Sequence, residues 1–318
     1  MLPNKTSPLL QKNSLMGVIA VICFVLFFVG GPDYYSQRSY KHFWDLGHIL
    51  FFFILSYLIL LNWPKSSETS FFRQSIVVIF ITICLGALIE VIQAGSVRTP
   101  DIMDLIRDII GCLVALSFWT PAKKTISKAR LKMCQMISVV LVAIAFFPMV
   151  TATLDEITAM KQFPVLSDLE TRFEIDRWTG DADFSIDHEI YYHGKASLKV
   201  NLNTSLYSGV GLKYFPRNWL NYSELQLSVF NPDDEAILLT CRIHDKQHTQ
   251  GLQLYEDRFN RRFFISSGWN LIKIQLKQIA NSPHKRKMAL NQIQGFGIFA
   301  SSLSKPRTVY IDYVRLIN

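Results

Sequence analysis

Cysteine is scarce in this chain and badly placed for a structural role. Of the five, Cys23, Cys84, Cys112 and Cys134 lie in or beside apolar runs, which leaves Cys241 alone in the second half. No disulfide framework follows, and no CxxC or zinc-ligand spacing occurs; the cysteines read as small apolar fillers. Charge is also sparse, at 18% of residues. The net +8 divides evenly, with 13 Lys+Arg against 9 Asp+Glu over residues 1–160 and 20 against 16 beyond them. Neither half is basic enough for a nucleic-acid partner. There is no internal repeat or low-complexity tract, which sets aside solenoids and linkers.

Apolar residues are abundant instead: 50% of the chain, with a mean hydropathy of +0.21. They crowd into five runs before residue 152: Leu15 to Gly30, Leu46 to Trp63, Gln74 to Ala94, Ile102 to Thr120 and Met133 to Thr151. Each approaches the ~20 residues that cross a hydrocarbon core of about 30 Å. Gly30-Gly31-Pro32 makes a poor cleavage site, so the first run reads as a retained helix. Residues 1–152 are therefore expected to form a membrane all-α bundle of five transmembrane helices, with the lipid bilayer as partner. Lys123, Lys124, Lys128, Arg130 and Lys132 crowd one loop, and Lys65 and Arg73 flank another. Basic loops stay cytoplasmic, which puts the N-terminus inside and everything after Thr151 in the periplasm or outside an inner-membrane protein.

Residues 153–169, broken by Pro164, are expected to be a stalk. From residue 170 to 318 the apolar period becomes two: Ala196 to Leu202, Glu224 to Phe230, Asn270 to Leu276 and Val309 to Leu316 alternate, separated by turns such as His193-Gly194 and Asn231-Pro232-Asp233. Short alternating strands without helical interludes indicate an all-β sandwich or jelly roll.

Charges inside the apolar half single out a site, because an ionised group at bilayer depth costs roughly 2.5–3.5 kcal/mol on insertion scales. Asp45 and His48 share a helical face, as do Gly86, Glu90 and Gln93, and Asp104, Asp108 and Gly111. With Asp101 at the start of the fourth run, and Arg98 and Arg107 for balance, these stripes converge on an outward-facing polar pocket if the helices pack; Gly86 and Gly111 permit close approach. Three uses are open: binding a polar ligand or lipid head group, interhelical cohesion, or acid–base chemistry by Glu90, Asp104, Asp108 and His48. A divalent metal suits these ligand types, although no HxxxH spacing is present.

The pattern of Asp45 and His48, Glu90-x-x-Gln93, Arg98, Asp104 and Gly111 over residues 15–120 resembles the VanZ-like membrane proteins, with Leu46 and Asp108 standing where that family usually has Lys and Asn. The resemblance implies a cell-envelope membrane protein related to one linked to low-level glycopeptide (teicoplanin) resistance. It implies no established enzyme chemistry. In the second half, Phe173-Glu174, Gly194 to Val200, Trp219 to Tyr222, Tyr255 to Phe259, Gly268 to Asn270 and Tyr310 to Leu316 resemble the galactose-binding-like jelly rolls of carbohydrate-binding modules. That resemblance implies a glycan, glycolipid or glycopeptide ligand and a structural calcium held by Glu174 and Asp312. Tyr255, Asp257, Arg258 and Trp219 are the ligand-contacting types available.

Overall fold

The computed structural model describes residues 8–63, 69–94 and 101–318. It divides into two compact units, residues 1–150 and 151–318. The first is helical: α1 (Pro8–Leu26), α2 (Arg38–Leu61), α3 (Phe71–Ala94), α4 (Ile102–Trp119) and the start of α5 (Lys128–Gln162). Three of these, Arg38–Leu61, Phe71–Gln93 and Lys128–Gln162, are long and apolar enough to cross a membrane. Against the five spans expected, three stand out by length and composition among the described residues. Within α1 the described side chains form a shorter apolar stretch, Leu15–Leu26, and α4 carries Asp104, Arg107 and Asp108 within its 18 residues.

Close packing of α2 on α4 depends on one residue. A Cβ at Gly111 would overlap the backbone of Ile49 and Phe53 on α2, so only glycine lets the two helix backbones touch. Likewise a Cβ at Gly86 on α3 would strike the Asp108 carboxylate on α4. Asp101 caps α4, accepting from the Met103 amide at 2.9 Å, which satisfies one of the helix's free N–H groups.

The second unit is a β-sandwich. One sheet runs β3 (Asp183–Asp187), β4 (Ser197–Leu202), β11 (Arg307–Ile317), β6 (Glu224–Asn231), β9 (Gly268–Gln275), with β1 (Val165–Ser167) also pairing β11. The other runs β2 (Trp178–Gly180), β5 (Tyr207–Leu212), β10 (Ile293–Ser301), β7 (Ile237–Asp245), β8 (Phe259–Ile265). All pairings are antiparallel. Alternate residues such as Leu198 and Val200, Leu225 and Leu227, Leu239 and Cys241, and Phe296 and Ile298 fill one core between the sheets, as a period of two requires.

The 153–169 stretch is not a separate stalk. Helix α5 continues to Gln162, β1 comes next, and Leu166 and Leu169 sit in the sandwich core. Arg177, fully buried, explains why: its guanidinium holds Asp155 of α5 through Nη2 at 2.7 Å and Nε at 3.0 Å, and donates to Leu166 O at 3.2 Å. The end of the helix and the first strand are thereby clamped into the same unit.

Candidate functional sites

In the helical unit the three stripes do converge. His48 Nδ1 lies 2.8 Å from Asp108 Oδ1 and its Nε2 lies 3.5 Å from Asp104 Oδ2. Both His48 and Asp108 are buried. Arg107 pairs closely with Asp104, and reaches Asp45 at 3.4 Å and Asp101 at 3.9 Å. Glu90 Oε2 accepts from the Asp101 amide at 2.9 Å, which ties α3 to the start of α4. Gln93 is drawn away from this group, donating to Phe27 O at 2.9 Å. Arg98 lies outside the described residues.

On the sandwich, the outward face of the β2-β5-β10-β7-β8 sheet has an unusual composition. Ladder register sets one row across it as Thr179, Gly211, Gly297, Arg242 and Asn260, and a second as Gly209, Phe299, Thr240 and Arg262. Gly295 lies opposite His244. Glycine in a strand interior weakens the sheet and marks close approach of a ligand or another backbone. At Gly297 the fold itself makes no such demand, since an added Cβ would meet nothing nearer than 3.5 Å. At Gly209 and Gly295, by contrast, an added Cβ would strike Phe299 and the His244 ring, so those glycines serve the packing of the face itself. Tyr207 packs edge-on against Phe299 with centroids 5.7 Å apart, and the Arg242 guanidinium sits 5.9 Å above the Phe299 ring. Arg258 lies 5.5 Å over the exposed Tyr255 ring. Three polar atoms here, Arg242 Nε, Arg258 Nε and Asn260 Oδ1, are buried without a hydrogen-bond partner. Burial, reinforced by the positive fields of His248, Arg242 and Arg258, pushes the His244 pKa down to about 3. Its ring therefore stays neutral across the physiological range, able to donate and accept.

Of the sandwich residues expected to touch ligand, Tyr255 and Arg258 join this group. Asp257 does not: it is bound by Arg286 at 2.6 Å and 2.9 Å, which holds its carboxyl below the usual range. Trp219 is fully buried in the core and donates to Pro216 O at 3.0 Å, so no ring face is left for a ligand. Sequence reasoning missed Tyr207, Arg242, His244, Asn260 and Phe299. The available signal was the alternation Gly209-Val-Gly211 and Gly295-Phe-Gly297 inside apolar strands.

The expected calcium pair has a different environment. Glu174 Oε2 accepts from the Asp168 and Leu169 amides at 3.1 and 3.0 Å, with Arg177 Nη1 3.7 Å away. Burial pushes its pKa up against the opposing field of Arg177. Asp312 sits at a β-bulge where Tyr313 adopts φ 51°. Its Oδ2 accepts from Tyr192 and His193 at 2.7 and 2.9 Å, and its Oδ1 from Tyr313 at 2.6 Å. Asp312 takes three amide N–H donors, and Glu174 takes two on Oε2 with the Ser167 and Thr171 hydroxyls beside them, a set that suits a bare anion. A shared calcium, which needs converging oxygens, does not fit it.

No family model and no curated protein matches the chain. Solved structures to which it is similar include a family 11 carbohydrate-binding module from Clostridium thermocellum (14% identity over 48% of this chain and 94% of that one, TM-score 0.38). They also include an exo-β-agarase, of which this chain spans 24% (17% identity, 48% of this chain, TM-score 0.38). A third is a family 30 carbohydrate-binding module of a Clostridium thermocellum cellulosomal cellulase (13% identity, 45% of this chain and 91% of that one, TM-score 0.33). All three scores fall below 0.5, and the sandwich is defined by its own strand order.

Proposed function

We propose that this chain is a membrane-anchored glycan-binding protein of the cell envelope, in which the helical unit holds the β-sandwich at the membrane and the outward face of the β2-β5-β10-β7-β8 sheet takes the sugar. The observation that carries the reading is the composition of that face: Tyr207, Phe299 and Tyr255 beside Arg242 Nε, Arg258 Nε and Asn260 Oδ1, three polar atoms buried and unpartnered. Aromatic faces stack on the C–H surface of a pyranose. Unpartnered planar donors and acceptors cost about 1–3 kcal/mol each when left unsatisfied, and hydroxyls of a saccharide would satisfy them. Three arginines, at positions 242, 258 and 262, favour glycans bearing carboxylate or other anionic groups.

The VanZ-like pattern, the inner-membrane location with the N-terminus inside, and a glycolipid or glycopeptide as the physiological ligand belong to the same proposal. The basic loop Lys123–Lys132 supports that orientation. A second reading, a membrane enzyme acting on a lipid-linked substrate, draws on the convergence of His48, Asp104 and Asp108. Full-length protein in nanodiscs, applied to an array of neutral and acidic oligosaccharides, tests the first reading. Retention of acidic glycans that is lost in Arg242→Ala supports it; an array with no retained glycan refutes it.

A further inference from the structure

The helical unit holds a cluster that the glycan reading does not use. Among the described residues, His48, Glu90 and Asp104 are the one group of three His, Cys, Asp or Glu side chains whose ligand atoms all lie within 4.8 Å of one another. From this geometry we infer a binding site for a divalent transition ion of the zinc or manganese kind, coordinated by His48 Nε2, Glu90 and Asp104.

Three observations beyond proximity carry the assignment. First, His48 Nδ1 lies 2.8 Å from Asp108 Oδ1 while the other ring nitrogen, Nε2, is turned toward Asp104. A carboxylate behind a ligating histidine is the usual support of a metal-bound imidazole. Gly86 makes room for it, since any side chain there would overlap the Asp108 carboxylate. Second, Nε2 faces Asp104 Oδ2 at 3.5 Å. Two ligands on a tetrahedral ion with bonds of about 2.1 Å stand ~3.4 Å apart, so this spacing admits an ion between them. Third, Glu90 Oε1 is buried without a partner although Oε2 is bonded. One oxygen of that carboxylate is positioned and the other is left for a ligand.

Charge points the same way. Asp45, Asp101 and Asp104 gather around Arg107, and Asp108 and Glu90 add two further acids beside His48. A surplus of anions in a low-dielectric setting calls for a cation. One nitrogen with hard carboxylate oxygens suits zinc, manganese or ferrous iron above calcium or copper(I).

The test uses full-length protein in nanodiscs, stripped with chelator and titrated with Zn²⁺ and with Mn²⁺ by calorimetry. One equivalent per chain is expected. Glu90→Gln should weaken binding by tenfold or more, and Asp108→Asn by about 10–100-fold through its support of His48. Asp33→Asn, outside the cluster, should bind as the wild type does. Stoichiometric binding that survives Glu90→Gln unchanged, or no stoichiometric binding at all, overturns the assignment. If the variants lose metal-free thermal stability, pulsed EPR of Mn²⁺ on the wild type decides. Nitrogen modulation from one imidazole supports the site, and bound Mn²⁺ without it overturns it.

Discussion

Replacing Arg177 with Met should be among the most damaging single changes in the sandwich. Methionine keeps the apolar stem but stops short of the guanidinium, so what disappears is chiefly charge and hydrogen bonding: the two-pronged contact with Asp155 at 2.7 and 3.0 Å, the bond to Leu166 O, and the field on Glu174 at 3.7 Å. Arg177 and Glu174 are 0% exposed and Asp155 is 3% exposed, so solvent cannot take over. Stranding one partner of a buried ion pair costs about 3–5 kcal/mol. For a unit of this size a kcal/mol shifts the melting temperature by about 2–4 °C, giving a fall of roughly 6–20 °C. Thermal unfolding of full-length protein in detergent, followed by tryptophan fluorescence, reads the shift. The double variant Asp155→Asn, Arg177→Met should recover part of the loss, because it removes one of the two stranded acids. A decrease under about 2 °C for Arg177→Met would mean that the clamp on α5 contributes little and that residues 151–162 hold on by packing alone.

The same geometry sets further expected outcomes. Gly297→Ala should leave melting within about 1 kcal/mol of wild type, since the Cβ has room, while weakening retention of any glycan that binds the sheet face; equal binding in calorimetry would remove that face from consideration. His244 has a folded pKa near 3 against 6.5 unfolded, so its contribution to stability is full above pH 6.5. It declines as pH falls, because the unfolded chain takes up the proton first, with a limiting slope of about 1.4 kcal/mol per pH unit. Denaturant titrations between pH 4 and 7 should show that slope reduced in His244→Gln, and an identical profile would contradict the assignment. Chelator should leave the sandwich transition unmoved while Asp312→Ala lowers it, because three backbone amides lose their acceptor; a chelator-induced drop would reinstate calcium.

Much of the architecture was legible because period-two alternation survives wherever one strand face is buried. The segments from Ala196, Glu224, Asn270 and Val309 correspond to β4, β6, β9 and β11. The polar stripes of α2, α3 and α4 were readable for the matching reason that residues three and four apart share a helix face. Residues 153–169 were misjudged because Pro164 marks the end of a helix but carries no information on the element after it, and the decisive contact, Arg177 with Asp155, joins positions 22 apart. The sheet-face site was hidden more deeply. Arg242 meets Gly297 only through the ladder between β7 and β10, and strand order is not written in any local pattern. The resemblance to carbohydrate-binding modules made Asp312 a metal ligand, and no local pattern spoke against it because its amide partners, Tyr192 and His193, arrive from 120 and 119 residues away.

A sugar bound on the β5-β10-β7 face would perturb the backbone amides of that face, whatever its binding mode. Full-length protein in deuterated nanodiscs would be titrated with the best acidic oligosaccharide from the array. Shifts concentrated at Tyr207, Gly211, Arg242, Gly297 and Phe299 are the expected result. Shifts confined to the opposite sheet around Phe230, Trp269 and Tyr310, or no shifts at saturating sugar, would contradict it.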